Sequence, residues 1–309
     1  MEEKLKFNQT PHLSIEDLKA HIPQKDYFIG IDSDGTVFDS MELKHKDCFI
    51  GSLIRVFQIA SIAHEVHQVW NYVNIFSKTR GTNRFKALIL TFKHLNTMNR
   101  VKELGIELPN LNSLKHWSDS SSSLGNDSLS EYIASDISVE KKDLKVVLEW
   151  SNEVNRSVKE TVFNLPPIPG ALEAMDYLQA HADLFVISNT PLDTLHREWK
   201  DNNIISKVRM IGGQETGTKT EMLKSVAMGK YDKNKILIIG DSPGDLTAAQ
   251  NIGALFYPII PSKEYESWDN FNKQYRHEFL TGNYKKSGLE KDQITAFKST
   301  LEKTPSWVV

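Results

Sequence analysis

Cysteine is nearly absent from the 309 residues: Cys48 stands alone, so no disulfide within the chain is possible and a reducing setting fits it. Long apolar runs are missing too. None approaches the roughly 20 residues that would cross a bilayer, and the opening stretch MEEKLKFNQT carries charges where a secretory signal needs apolar residues. The expected location is therefore the cytoplasm, with no membrane partner. Nor does charge of one sign dominate. Lysine and arginine number 37 against 40 aspartates and glutamates, and the formal net charge of −3 gives no general attraction to nucleic acid. The expected partner is a small solute. No internal repeat is visible, and no His or Cys cluster has the spacing of metal ligands. His64-Glu65-Val66-His67 lacks the histidine spacing of a zinc-protease helix and reads as a solvated helix face.

What is present is an ordinary globular composition, 39% hydrophobic and 25% charged, in a chain long enough for a core domain and one large insertion. Four short apolar runs, residues 27–31, 184–187, 236–239 and 254–257, do not alternate with polar residues. Continuous apolar strands are buried on both faces, as in parallel sheets covered by helices. Helix-like stretches at 170–181 and 246–251 lie between them, so the pattern predicts an α/β fold with a Rossmann-like, doubly wound parallel sheet. A fifth strand is expected over 207–211, ending at Gly212-Gly213.

The first two runs are roughly 150 residues apart, far more than a βαβ connection needs. The intervening residues read as mainly helical, notably at 50–73 and 141–163, with a serine-rich loop at 118–123. The expected organisation is an amino-terminal extension (1–26), a core (27–41 and 166–262), an inserted all-α domain (42–165) and a helical carboxyl-terminal extension (263–309).

In an open parallel sheet, ligands bind beyond the carboxyl ends of the strands. Three of the apolar runs end in chemically matched residues: Asp32-Ser33-Asp34-Gly35-Thr36, Ser188-Asn189-Thr190 and Gly240-Asp241-Ser242-Pro243-Gly244-Asp245. Lys219 follows the expected third strand. Asp-x-Asp by itself is a common surface turn, and Gly240 to Asp245 by itself is a fair strand-to-helix turn. Together, four carboxylates gathered in one crevice repel unless a cation joins them. Mg²⁺ suits hard oxygen ligands of this kind. Asp32 and Asp34 would point to opposite sides unless the strand ends between them, which Gly35 permits. Asp32 then suits a nucleophile on phosphorus, and Asp34 a general acid and base. Lys219 would offset charge on the transferring group, while the Ser188 hydroxyl and Asn189 amide would hold its oxygens.

These motifs resemble the four signatures of the haloacid dehalogenase superfamily, matched in order by Asp32-x-Asp34-Gly35-Thr36, Ser188, Lys219 and Gly240-Asp241-x-x-x-Asp245. The resemblance implies Mg²⁺ held by Asp32, the Asp34 carbonyl and Asp241, with Asp245 supporting. It also implies that the insertion is a helical cap that closes over the site and selects substrates. Within it, Thr79-Arg80-Gly81-Thr82-Asn83-Arg84-Phe85 is similar to the specificity loop of β-phosphoglucomutase-like members, making Arg84 a candidate substrate contact. Lys44 follows Asp39-Ser40-Met41-Glu42-Leu43 where many cap-bearing relatives have histidine, and is a second candidate anion contact. Trp70, Tyr72 and Phe76 either line a pocket or belong to the helical core. The expected activity is hydrolysis of a small phosphorylated metabolite through an aspartyl phosphate on Asp32. The alternatives are a sugar-phosphate mutase and a non-catalytic phosphometabolite-binding protein. A carbon–halogen hydrolase fits less well, because those relatives lack the second aspartate of the first motif.

Overall fold

The computed structural model describes residues 13–121, 123–135, 141–302 and 304–307. It divides into two compact units: residues up to Asp39 with Asn164–Phe297, and Ser40–Phe163 with residues from Lys298 onward.

The first unit is built on five parallel strands, β1 (Tyr27–Ile31), β2 (Ala182–Ile187), β3 (Met210–Gly212), β4 (Ile236–Gly240) and β5 (Leu255–Pro258), in the order β3-β2-β1-β4-β5. This is the doubly wound sheet expected from the apolar runs. The chain builds outward from β1 through β2 and β3, then crosses to β1's other side for β4 and β5. Such a reversal opens a crevice at the carboxyl ends of β1 and β4. Register is fixed by pairs such as Ile31 with Val186 on one side and with Ile239 on the other. β3 is shorter and later than the expected 207–211 strand. Its polar approach forms a 3₁₀ turn at Ile205–Lys207, and pairing with β2 begins only at Met210.

Both faces of the sheet are covered. Ile29, Ile31, Leu184, Val186, Leu237 and Ile239 pack with the helices Ala171–Leu178 and Leu192–Asp201 and with aromatic residues of the carboxyl-terminal extension. Those aromatics also hydrogen-bond to the core: Trp268 Nε1 donates to the Thr36 carbonyl (2.8 Å) and Tyr284 Oη to the Phe256 carbonyl (2.9 Å). On the other face lie the helices Lys219–Val226 and Pro243–Ile252, which pack against each other.

The second unit is helical, its longest helix Lys142–Thr161. The stretch 50–73, expected to be mainly helical, holds more than one helix: Gln58 takes a left-handed conformation (φ 57°) that ends Ile50–Phe57, and a new helix, Ala63–Asn71, follows. Of the serine-rich stretch, Ser118 and Ser120 close the helix Asn112–Ser120, Ser121 lies beyond it, and position 122 falls outside the described residues. The chain's last described residues join this unit: Glu302 N donates to the Phe76 carbonyl (2.7 Å), and Trp307 meets Tyr72 and His94 edge-on.

Leu237, fully buried in β4, tests the core directly. Leu237→Ala should lower unfolding free energy by about 2–5 kcal/mol in a denaturant titration. A loss below about 0.5 kcal/mol would contradict its placement.

Candidate active site

The site begins where β1 stops. Asp32 continues the ladder by one bond, its amide donating to the Ile239 carbonyl (3.0 Å). The chain then folds back: the Ser33 carbonyl accepts from the amides of Thr36, Val37 and Phe38, and Gly35 sits at φ 71°, a left-handed conformation costly for residues with a Cβ. This turn separates the two acids. Asp34 Oδ2 accepts from Thr190 Oγ1 (2.7 Å), in the loop after β2. Asp32 instead meets Lys219, whose Nζ donates to Asp32 Oδ2 (2.7 Å) and to Asp245 Oδ1 (2.6 Å).

Lys219 is the first residue of its helix, directly after the N-cap Thr218 and inside the Thr218–Glu221 capping box. A cation there opposes the helix dipole. Two buried carboxylates compensate, which identifies the position as one held by the site rather than by helix chemistry. Asp245 is fixed in a second capping box, accepting from the Ser242 amide (3.1 Å) and hydroxyl (2.6 Å). The fit of its side chain explains Gly240: a Cβ there would lie 2.3 Å from Asp245 Cγ. Asp241, at the end of β4, accepts from Thr36 Oγ1 (3.0 Å).

Asp32, Asp241 and Asp245 each offer a carboxylate oxygen within 4.8 Å of the others, and all three are buried. Three carboxylates against one ammonium leave excess negative charge when all are ionised, and such a set of oxygens suits a hard divalent cation. Burial pushes the Asp32 carboxyl up to about 7; Lys219 opposes this, while Asp245 and Asp241 add to it. Burial pulls Lys219 down, but the carboxylates of Asp245 and Asp32 outweigh it and hold the ammonium protonated. Among the described residues no other group of three or more acidic, His or Cys side chains is poised in this way, and His64 and His67 belong to none.

Ser188 stands at the end of β2, its amide on the Gly212 carbonyl (3.0 Å) and its Oγ accepting from the Thr190 amide (3.3 Å). Asn189 follows it, exposed. The first unit thus gathers Asp32, Asp34, Ser188, Asn189, Lys219, Asp241 and Asp245 at one end of the sheet.

Lys44 and Arg84 lie in the second unit. Lys44 is buried in the π-helical turn Lys44–Phe49. Arg84 begins the helix Arg84–Leu95; its Nη1 donates to Asn155 Oδ1 (2.6 Å) and to Ser151 Oγ (3.2 Å), and its guanidinium lies 5.1 Å from the centre of the Phe49 ring. Trp70 is fully buried against Phe49 and Trp150. Its place is in the helical core, whereas Tyr72 and Phe76 are half-buried.

The hydroxyls of Thr36 and Thr190 were not singled out by sequence, though both lie inside the quoted motifs. The signal available was a hydroxyl within reach of a strand end. Their partners are 205 and 156 residues away, respectively.

An open parallel sheet with buried acids and a lysine at its switch point defines an α/β enzyme scaffold whose reactive groups come from strand ends. The chain belongs to the haloacid dehalogenase-like hydrolase family, whose model matches residues 83–258. No curated protein matches it. Among solved structures it is similar to a predicted phosphoglycolate phosphatase from Haemophilus somnus, with 15% identity, 75% of this chain and 84% of that chain covered, and a TM-score of 0.47. A predicted phosphatase from Clostridium acetobutylicum gives 14% identity, covers 88% and 100%, and has a TM-score of 0.40. A HAD-superfamily hydrolase from Ehrlichia chaffeensis gives 14% identity, covers 81% and 98%, and has a TM-score of 0.36.

A divalent cation at the three carboxylates must displace the proton that Asp32 holds below about pH 7. Divalent-cation affinity, read by calorimetry, should therefore weaken about tenfold per pH unit below that value and level off above it. Affinity that stays constant as pH falls would contradict a buried, protonatable ligand.

Proposed function

We propose that the chain is a Mg²⁺-dependent phosphatase that hydrolyses a small phosphorylated metabolite through an aspartyl phosphate on Asp32. The observation that carries the reading is the Asp32 carboxylate at the end of β1, held by Lys219 beside Asp241 and Asp245, with Asp34 turned to its own hydroxyl partner. An Asp32 oxygen attacks phosphorus while the bond from phosphorus to the leaving oxygen breaks. Asp34, protonated at this stage, gives its proton to that oxygen, and the alcohol departs. Water then attacks the phosphorus of the aspartyl phosphate. Asp34, now a carboxylate, takes the water's proton, and inorganic phosphate and free Asp32 result.

Lys219, the Ser188 hydroxyl and the Asn189 amide hold the phosphoryl oxygens as their charge grows. The carboxylates of Asp32 and Asp241, with the Asp34 carbonyl and with Asp245 in support, are the ligands assigned to Mg²⁺. The bound ion supplies positive charge that offsets the phosphoryl group and the buried acids together. The helical insertion is assigned the choice of substrate, with Lys44 and Arg84 as its candidate anion contacts. Its cations suit an anionic or hydroxyl-rich part of the metabolite, and its length suits a small substrate over a macromolecule.

A panel of phosphorylated sugars, nucleotides and acids, assayed for inorganic phosphate, tests the reading. Release should require Mg²⁺, stop with EDTA, and fall by about 10³-fold or more in Asp32→Asn. Asp34→Asn should lower turnover by about 10²–10⁴-fold. Full activity of Asp32→Asn sinks the proposal, and isomer formation without phosphate release replaces it with a mutase.

A further inference from the structure

We propose that residues 14–25 are a positioning element for the reaction: they grip the helix Lys219–Val226 at both ends and so set where Lys219 presents its ammonium to Asp32 and Asp245. This rests on Lys219 being catalytic, as proposed above.

The amino-terminal helix Ile15–Ala20 spans only six residues, too few to be stable alone. It packs along Lys219–Val226 and buries Leu18 completely. At the near end, Gly217 stands two residues before Lys219 at φ 142°, and a Cβ there would approach Ile15 Cδ1 to 3.3 Å. At the far end, Lys230 Nζ donates to the carbonyls of Lys19 (2.8 Å) and of Leu18 (3.0 Å), the latter also taken by the His21 amide, so that it caps the end of the short helix.

A buried network then ties both pieces to the sheet. Tyr231 Oη donates to Asp183 Oδ2 (2.8 Å) and lies 2.8 Å from His21 Nε2. The same Asp183 oxygen, at the start of β2, accepts from the amides of Gln24 (2.8 Å) and Lys25 (3.1 Å). The His21 ring meets Phe185 edge-on, with centroids 4.8 Å apart.

The consequence for Lys219 follows from its place in the helix. As the first helical residue it moves with the helix as a body, and its bonds of 2.7 and 2.6 Å leave little slack. A shift of about 1 Å in a positioned catalytic group can lower rate by about 10²-fold. Together with Pro243–Ile252, which packs along the same helix, residues 14–25 resist that shift.

The test uses the full chain. Leu18→Ala should lower kcat about tenfold with KM within about twofold, and should add no further loss when Lys219 is already alanine. Leu18→Met should restore the rate. Hydrogen exchange should quicken at residues 219–226 and remain unchanged in β1. Lys230→Met, which removes only the two carbonyl contacts, should give the same pattern more weakly and serves if Leu18→Ala does not fold. Phe297→Leu, a buried change in the carboxyl-terminal helix, should lower thermal stability while leaving kcat intact. Wild-type kcat in Leu18→Ala, or equal losses with and without Lys219, would overturn the proposal. If the wild-type chain releases no phosphate from any compound, the phosphatase reading falls, while unchanged exchange at 219–226 would separately overturn the brace.

Discussion

Placing Asp32, Asp241 and Asp245 together, nearly out of water, with Lys219 among them is the constraint on which the first unit depends. Charges so buried are expensive unless paired, and removing one partner of such a set strands the others. The surroundings are organised around that expense. The β1 turn aims Asp32 at Lys219 and sends Asp34 to Thr190. The capping box of Pro243–Ile252 holds Asp245, and Gly240 yields the space its carboxylate occupies. Thr36, within the β1 turn, supports Asp241 across 205 positions of sequence. Each brace is ordinary capping or turn chemistry. What is particular is that all of them converge on carboxylates rather than on solvent.

Much of this was legible in the sequence because strand ends leave local signals. β1 occupies the expected residues, and the apolar runs at 184–187, 236–239 and 254–257 fall within or one residue from β2, β4 and β5. Acids and hydroxyls directly after those runs therefore read as a site. The helix Pro243–Ile252 starts earlier than the apolar pattern suggested, because Pro243 and Gly244 look like a turn although proline fits the first helical position well. β3 was misplaced because its upstream residues are polar and only Ile211 and Gly212 are buried. Thr36 and Thr190 could not be assigned to their acids, since long-range pairs carry no spacing signal.

The helical unit was less legible. Its periodicity marks helices but not their breaks, and Gln58 in a left-handed conformation gives no warning in composition. Arg84 could be chosen as a candidate contact from its motif, yet its bonds to Asn155 and Ser151 come from a helix roughly 70 positions away. Those bonds fix the orientation of the guanidinium within the helical unit. The carboxyl-terminal residues bring another unexpected element. The extension supplies Trp268 and Tyr284 to the core, while Glu302 and Trp307 meet Phe76, Tyr72 and His94 of the helical unit.

The most direct measurement is chemical trapping of the covalent state. Protein quenched during turnover should be treated with borohydride, which reduces an acyl phosphate to an alcohol, and then digested and mapped by mass spectrometry. The account predicts homoserine at position 32 and unmodified aspartate at position 34, in the presence of substrate and Mg²⁺ alone. Turnover with no modification at Asp32, or with the label at Asp34, would contradict it.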